Sequence, residues 1–187
     1  DVEVRVLQLR QIPRESSLHQ RFLFVQLPQV HQPRISPESV DPTVKNFHWG
    51  DMVKGLFEAY DRGAETVVLT DGNGNITEGP GFNLFANIGG RLVTPESGVL
   101  LGITRMTVIE LAELLNVKVE VGTLTERELR SADEVFVSST AGGVMPVSRL
   151  DGDPIGDGAP GPLTQRLRQM YWDAHDDERY VTWIDYR

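Results

Sequence analysis

The sequence predicts an α/β (α+β) chain, a mixed sheet with helices packed on it. Strand-like and helix-like segments follow one another along its 187 residues. Turn signals sit between apolar runs, at Asp71-Gly72-Asn73-Gly74-Asn75 and Gly89-Gly90. Other stretches carry apolar residues at helical spacing, as in Met52, Val53, Leu56, Phe57 and Tyr60. The length suffices for one good core. At 40% hydrophobic residues the chain has a soluble composition, with no run of membrane-span length and no visible signal peptide. A net charge of −9 argues against partnership with nucleic acid or anionic membranes. The count of 0 cysteines rules out disulfides and thiolate metal sites and fits a cytoplasmic location. The 4 histidines have no ligand spacing, so no metal is expected.

In order, Val2, Val4 and Val6 suggest a strand that Pro13 and Ser16-Ser17 end. Opening at Asp1 inside that strand, the chain reads as a fragment. Leu18 to Ser39 reads as an insertion-like loop with one short strand around Phe22-Leu23-Phe24-Val25. A helix is expected from Asp51, as N-cap, to Arg62. Thr66–Thr70 is a strand before the Asp71–Asn75 turn, and Phe82–Ile88 turns at Gly89-Gly90 into Arg91–Thr94. Thr104–Leu115 is helical, with Thr104 as its cap, and Val117–Val121 is a strand. A short acidic helix lies near Glu126–Arg130, and a strand over Glu134–Ser138 ends in the Thr140–Gly143 loop. Asp151–Pro154 is a turn, Pro162–Ala174 is a helix, and Trp172 and Trp183 are expected to pack.

Lys45 carries the chemistry. It is one of 3 lysines. Lys54 projects from the polar face of the Asp51 helix, and Lys118 alternates with Val117 and Val119 toward water. Lys45 instead sits at a loop–helix junction, where a side chain can be aimed into a cleft. Three segments could build a site around it. Thr77–Asn83 brings Glu78 beside glycines that admit a flat ligand. Leu100–Arg105 ends at a helix N-terminus, whose free N–H groups and dipole favour phosphate. Ser138–Gly143 is a small-residue loop suited to an anion. An amine, a carboxylate and two anion-binding turns are what pyridoxal 5′-phosphate requires.

Four ordered runs carry a family resemblance: Asp41-Pro-Thr-Val-Lys45-Asn-Phe-His-Trp-Gly-Asp51, Thr77-Glu-Gly-Pro-Gly-Phe-Asn83, Leu101-Gly-Ile-Thr-Arg105 and Ser139-Thr-Ala-Gly-Gly-Val-Met-Pro146. From Ser39 to the C-terminus the chain resembles the fold-type IV pyridoxal-phosphate (class IV) aminotransferases. The Lys-Asn-x-x-Trp-Gly-Asp run, the Thr-Ala-Gly-Gly-x-Met-Pro run and the Ile184-Asp185-Tyr186 tail look most like (R)-selective amine transaminases. The resemblance implies a large domain with a mixed sheet or pseudo-barrel over 39–187, preceded by a remnant strand and the insertion-like segment over 1–38. It implies that Lys45 forms the Schiff base and shuttles the proton, and that Glu78 pairs with the pyridine nitrogen. Ile103, Thr104 and Thr140 would hold the phosphate and Leu100 would pack on the ring. Trp49, Ala141 and Gly142 would border the substrate pocket.

The implied reaction is transamination between an (R)-amine and a keto acid such as pyruvate. The alternatives are a branched-chain or D-amino-acid aminotransferase, an aminodeoxychorismate lyase, or an inactive truncated large domain. A homodimer acting on small molecules is expected. Members of the family carry an N-terminal small domain that supplies an arginine to the phosphate, and no residue here matches that arginine by motif. Pro80 also departs from the small residue usual after Glu-Gly, and it fixes φ and removes a donor beside the cofactor.

Overall fold

One mixed sheet organises the chain in the computed structural model, which describes residues 23–26 and 33–184. The strands are β1 (Leu23–Gln26), β2 (Thr66–Val67), β3 (Asn83–Ile88), β4 (Arg91–Pro95), β5 (Val119–Gly122), β6 (Glu134–Ser139), β7 (Gly143–Leu150) and β8 (Asp153–Pro154). Their order is β2-β1-β7-β6-β3-β4-β5, with β8 hydrogen-bonded to β7. β1 runs parallel to both β2 and β7, β4 runs parallel to β5, and the β7-β6-β3-β4 run is antiparallel. The helices are α1 (Gly50–Asp61), α2 (Ile103–Leu114), α3 (Glu126–Arg130) and α4 (Pro162–Asp173).

Apolar side chains cover both faces of the sheet centre, so its strands read as continuous rather than alternating runs. On one face Leu84, Ala86, Val135, Val137 and Val147 meet Leu124 and Leu129 from the α3 side. On the other, Phe85, Phe136 and Val144 meet Val108 and Leu111 of α2 and Leu167 and Tyr171 of α4. Phe85 and Phe136 stack with ring centroids 4.9 Å apart. A third cluster seats α1 on β2 through Met52, Ala59, Val67 and Leu69. A Cβ on Gly55 would come within 3.0 Å of Leu69 and 3.2 Å of Val67, so glycine sets how close α1 lies. That approach places the residues at the start of α1 over the sheet end.

α4 is capped from a distance. Its N-cap, Gly161, has no side chain to accept from the first turn. Glu134, buried at the start of β6, accepts instead from Thr164 N (2.8 Å), Thr164 Oγ1 (2.7 Å) and Leu163 N (3.2 Å). A Cβ on Gly161 would stand 2.0 Å from the Glu134 carboxyl carbon.

Several expectations are corrected. Asp51 is not the cap of α1: the N-cap is Trp49, whose side chain makes no capping bond, and Asp51 is buried in an ion pair with Arg34. Thr104 is not the cap of α2 either, since Gly102 holds that position and Thr104 lies in the first turn. The Thr66–Thr70 strand is regular only over Thr66–Val67; beyond it, Leu69 N donates to Glu78 O and Thr77 N donates to Leu69 O in an irregular hairpin. Two strands were missed. β7 follows a tight turn from β6, its small residues and Pro146 disguising a strand of 8 residues. The expected Asp151–Pro154 turn contains β8; Asp151 and Gly152 both have positive φ, as a type I′ hairpin requires. Lys118 precedes β5 and is exposed. Trp183 is exposed rather than packed, whereas Trp172 packs against the α2–α4 core. The strand expected over Val2–Leu9, and residues 185–187 of the tail, lie outside the described residues.

Glu134→Ala leaves two first-turn amides and the Thr164 hydroxyl without their acceptor. It should cost about 2 kcal/mol of stability, read as a lower urea midpoint at unchanged slope.

Candidate active site

The loop into α1 is shaped by short-range side-chain bonds. Asp41 Oδ1 accepts from Thr43 N (2.9 Å) and Thr43 Oγ1 (2.6 Å), which holds the Asp41 carboxyl below its ordinary range. Asn46 Nδ2 donates to Val44 O (2.8 Å), Asn46 Oδ1 accepts from His48 N (2.8 Å), and Trp49 Nε1 donates to Asn46 O (3.0 Å). These bonds bracket Lys45 and set the indole of Trp49 beside it.

Opposite this loop, Gly79-Pro80-Gly81-Phe82 makes a tight turn, with Gly79 and Phe82 exchanging two backbone bonds of 3.3 Å. Gly81 has φ +81, as the third residue of a type II turn requires, and proline suits the position before it. Pro80 therefore stiffens the turn rather than disturbing it. A Cβ on Gly79 would lie 2.2 Å from the Phe82 ring and 2.4 Å from Val67 O, so that position admits only glycine.

The turn presents Glu78, which is 4% exposed. Its Oε2 accepts from Leu100 N (2.8 Å) and Asn83 Nδ2 (3.4 Å), and its Oε1 accepts from Arg34 Nη2 (3.2 Å). Asn83 Nδ2 also donates to Leu100 O (2.8 Å), fixing the Leu100 loop at both its amide and its carbonyl. Burial raises the Glu78 carboxyl above its ordinary value, and the Leu100 amide and Arg34 only partly offset this.

A cavity of about 320 Å³ joins these parts. Lys45, Trp49, Glu78, Leu100, Ile103, Thr104 and Thr140 all line it. Ala141 and Gly142, expected at the substrate border, do not: Ala141 is exposed beyond the rim, and Gly142 N donates to Ser139 Oγ (3.1 Å) inside the β6–β7 turn. α2 enters the cavity wall with no side-chain cap, leaving its first amides open. Arg105 points elsewhere, its Nε on Thr94 Oγ1 (3.2 Å) and its Nη2 on Pro95 O (3.0 Å). A wider hollow of about 420 Å³ lies between the Asn73 turn and α3, but its Arg130 is already paired with Glu126 and Asp151.

With this geometry in place, the similarities become informative. The family model for amino-transferase class IV matches residues 3–150. The chain belongs to that family. It is 40% identical to the branched-chain-amino-acid aminotransferase of Escherichia coli (strain K12) over 128 residues, which are 67% of this chain and 41% of that protein. The branched-chain amino acid aminotransferase of Thermobaculum terrenum in its PLP form superposes with a TM-score of 0.82 at 31% identity, over 91% of this chain and 57% of that one. The branched-chain aminotransferase of the thermophilic archaeon Thermoproteus uzoniensis with norvaline gives a TM-score of 0.78 at 29% identity, over 85% and 54%. The chain thus spans about two fifths of the length of the curated relatives it matches. Closeness to (R)-selective amine transaminases is not among these similarities.

One residue of this class IV chain escaped the sequence reading. Arg34 lies in the segment read as an insertion, where nothing local separates it from other arginines. It is buried against Asp51 and Glu78, 17 and 44 positions away. Ser138, the first residue of the run expected to suit an anion, has its hydroxyl buried in the cavity wall with no partner among the described residues.

Between the ordinary carboxylate value and the raised value of Glu78, the folded chain holds a proton that the unfolded chain has released. Stability should therefore fall as pH rises through that window. Denaturant titrations should show wild type losing ground against Glu78→Gln from the lower to the upper end of the window.

Proposed function

We propose that the cavity holds pyridoxal 5′-phosphate and that the chain serves amino transfer between a branched-chain-type amino acid and a keto acid. The observation that carries this reading is the convergence of Lys45, Glu78 and the uncapped first turn of α2 on one cavity. Features of the cavity itself support the fit. The Ser138 hydroxyl and Arg34 Nε are buried there without partners among the described residues. A buried carboxylate with a raised pKa suits a ring N–H that brings positive charge. Bound there, the cofactor would supply an aldehyde for an amine to condense with and a ring that withdraws electrons from the substrate carbon.

The chain's residues divide the remaining work. Lys45 Nζ is the amine that anchors the cofactor. When freed, it carries the proton to and from the substrate carbon. Glu78 receives the ring nitrogen. The Ile103 and Thr104 amides, with the Thr104 and Thr140 hydroxyls, take the phosphate, where the dipole of α2 adds its favourable end. Leu100, whose amide and carbonyl are held by Glu78 and Asn83, would pack against the cofactor ring. Trp49, Val44, Pro42 and Leu101 give the mouth an apolar lining, which suits an aliphatic side chain better than a charged one.

The similarities favour the branched-chain alternative over the (R)-amine reading, because the named relatives are branched-chain aminotransferases. A substrate panel separates the two. L-leucine with 2-oxoglutarate should turn over at least about tenfold faster than an (R)-amine with pyruvate, and the reverse ratio would reinstate the amine reading. Cofactor binding has its own test. Adding pyridoxal 5′-phosphate should produce a visible absorbance band that borohydride fixes on Lys45. Lys45→Ala should lose the band and lower turnover by about a thousandfold or more. Label on Lys54 or Lys118 instead would remove the assignment.

A further inference from the structure

Arg34, Asp51 and Glu78 form a row of three charges, of which Arg34 and Glu78 line the cavity and Asp51 lies behind Arg34. Arg34 Nη1 donates to Asp51 Oδ2 (2.7 Å) and Arg34 Nη2 donates to Glu78 Oε1 (3.2 Å). The three side chains are 9%, 3% and 6% exposed. Asp51 is tied further: its Oδ2 also accepts from Ile35 N (2.8 Å) and its Oδ1 from Met52 N (2.8 Å). The elements that carry these residues are distant in sequence, and nothing in the packing of α1 on β2 calls for a buried carboxylate pair at its edge. Replacing such a cluster with apolar residues of like volume commonly stabilises a fold, so its presence points to a role other than stability.

We propose that Arg34 is a positioning residue for Glu78 and that Asp51 sets how much of its charge Glu78 receives. Asp51 and the Ile35 amide fix where the guanidinium lies, and one arm of the fork reaches Glu78. The carboxylate is thereby aimed into the cavity and held in competition between two forces. Burial and Asp51 favour its neutral form; Arg34 and the Leu100 amide favour the anion. The charged side chains that bear on Glu78 are Arg34 and Asp51, with Lys45 lining the same cavity. Burial raises the Glu78 carboxyl and Arg34 opposes that rise, so the placement of the guanidinium sets how readily Glu78 gives up its proton. The inference rests on the cofactor reading above for its purpose, but not for its test.

The test follows the Glu78 side-chain carboxyl by carbon-13 NMR in ligand-free protein labelled at glutamate, with Glu78→Gln identifying the resonance. Arg34→Met should raise the Glu78 titration midpoint by about one pH unit or more. Asp51→Asn should lower it, because the guanidinium is no longer shared with a second anion. Opposite shifts from two neighbouring substitutions are not expected of a merely structural cluster. Midpoints that do not move in opposite directions overturn the proposal. If circular dichroism shows that Arg34→Met does not fold, Asp51→Asn decides alone: a lower midpoint supports the proposal and any other result overturns it. Pyridoxal 5′-phosphate titration of the wild type, read by absorbance, is a separate arm. Absence of a Lys45-dependent band removes the cofactor reading and leaves the carboxyl titration standing on its own.

Discussion

The carboxylate of Glu78 organises the site. A buried carboxylate must be surrounded by donors or it will not stay ionised. Here the donors are the Leu100 amide, the Asn83 side chain and Arg34. Each belongs to a different part of the chain, so satisfying one side chain brings the Leu100 loop, the start of β3 and the segment before Lys45 to one place. Asn83 then returns a bond to Leu100 O, closing the loop on itself.

Around that carboxylate the fold supplies access without loose packing. Close approaches are made by glycine where a Cβ would collide, as at Gly79 against Val67 O and the Phe82 ring, and at Gly102 against Asn83 Oδ1. Gly102 has a second consequence. It is the N-cap of α2 and has no side chain, so the first amides of that helix remain open to the cavity. At α4 the same lack of a capping side chain is met by Glu134 from β6. One glycine cap leaves amides open to the cavity and the other leaves a slot for a buried carboxylate; what stands opposite makes the difference.

The lysine side of the cavity obeys another rule. Lys45 is exposed in a loop held by Asp41 and Asn46 rather than by a core. Local side-chain bonds of this kind give a preferred shape at little packing cost, and they leave the amine room to move. The buried Glu78 and the exposed Lys45 line the same cavity from elements of opposite character.

Much of this was legible from residue order. The hairpin at Asp71–Asn75, the helices and the Lys45, Glu78 and Thr104 constellation follow from turn chemistry, periodicity and motif spacing, all of which are local. The caps at Asp51 and Thr104 were misread because a capping residue and a buried first-turn residue look alike until the partner is known. β7 was hidden because its small residues and Pro146 do not read as a strand. Arg34 was invisible, since its meaning lies in two carboxylates far along the chain. Residue types and their spacing determined which groups were available for chemistry. Only the tertiary structure decided which buried charges face one another, because the balance between desolvation and pairing depends on distances that no local pattern encodes.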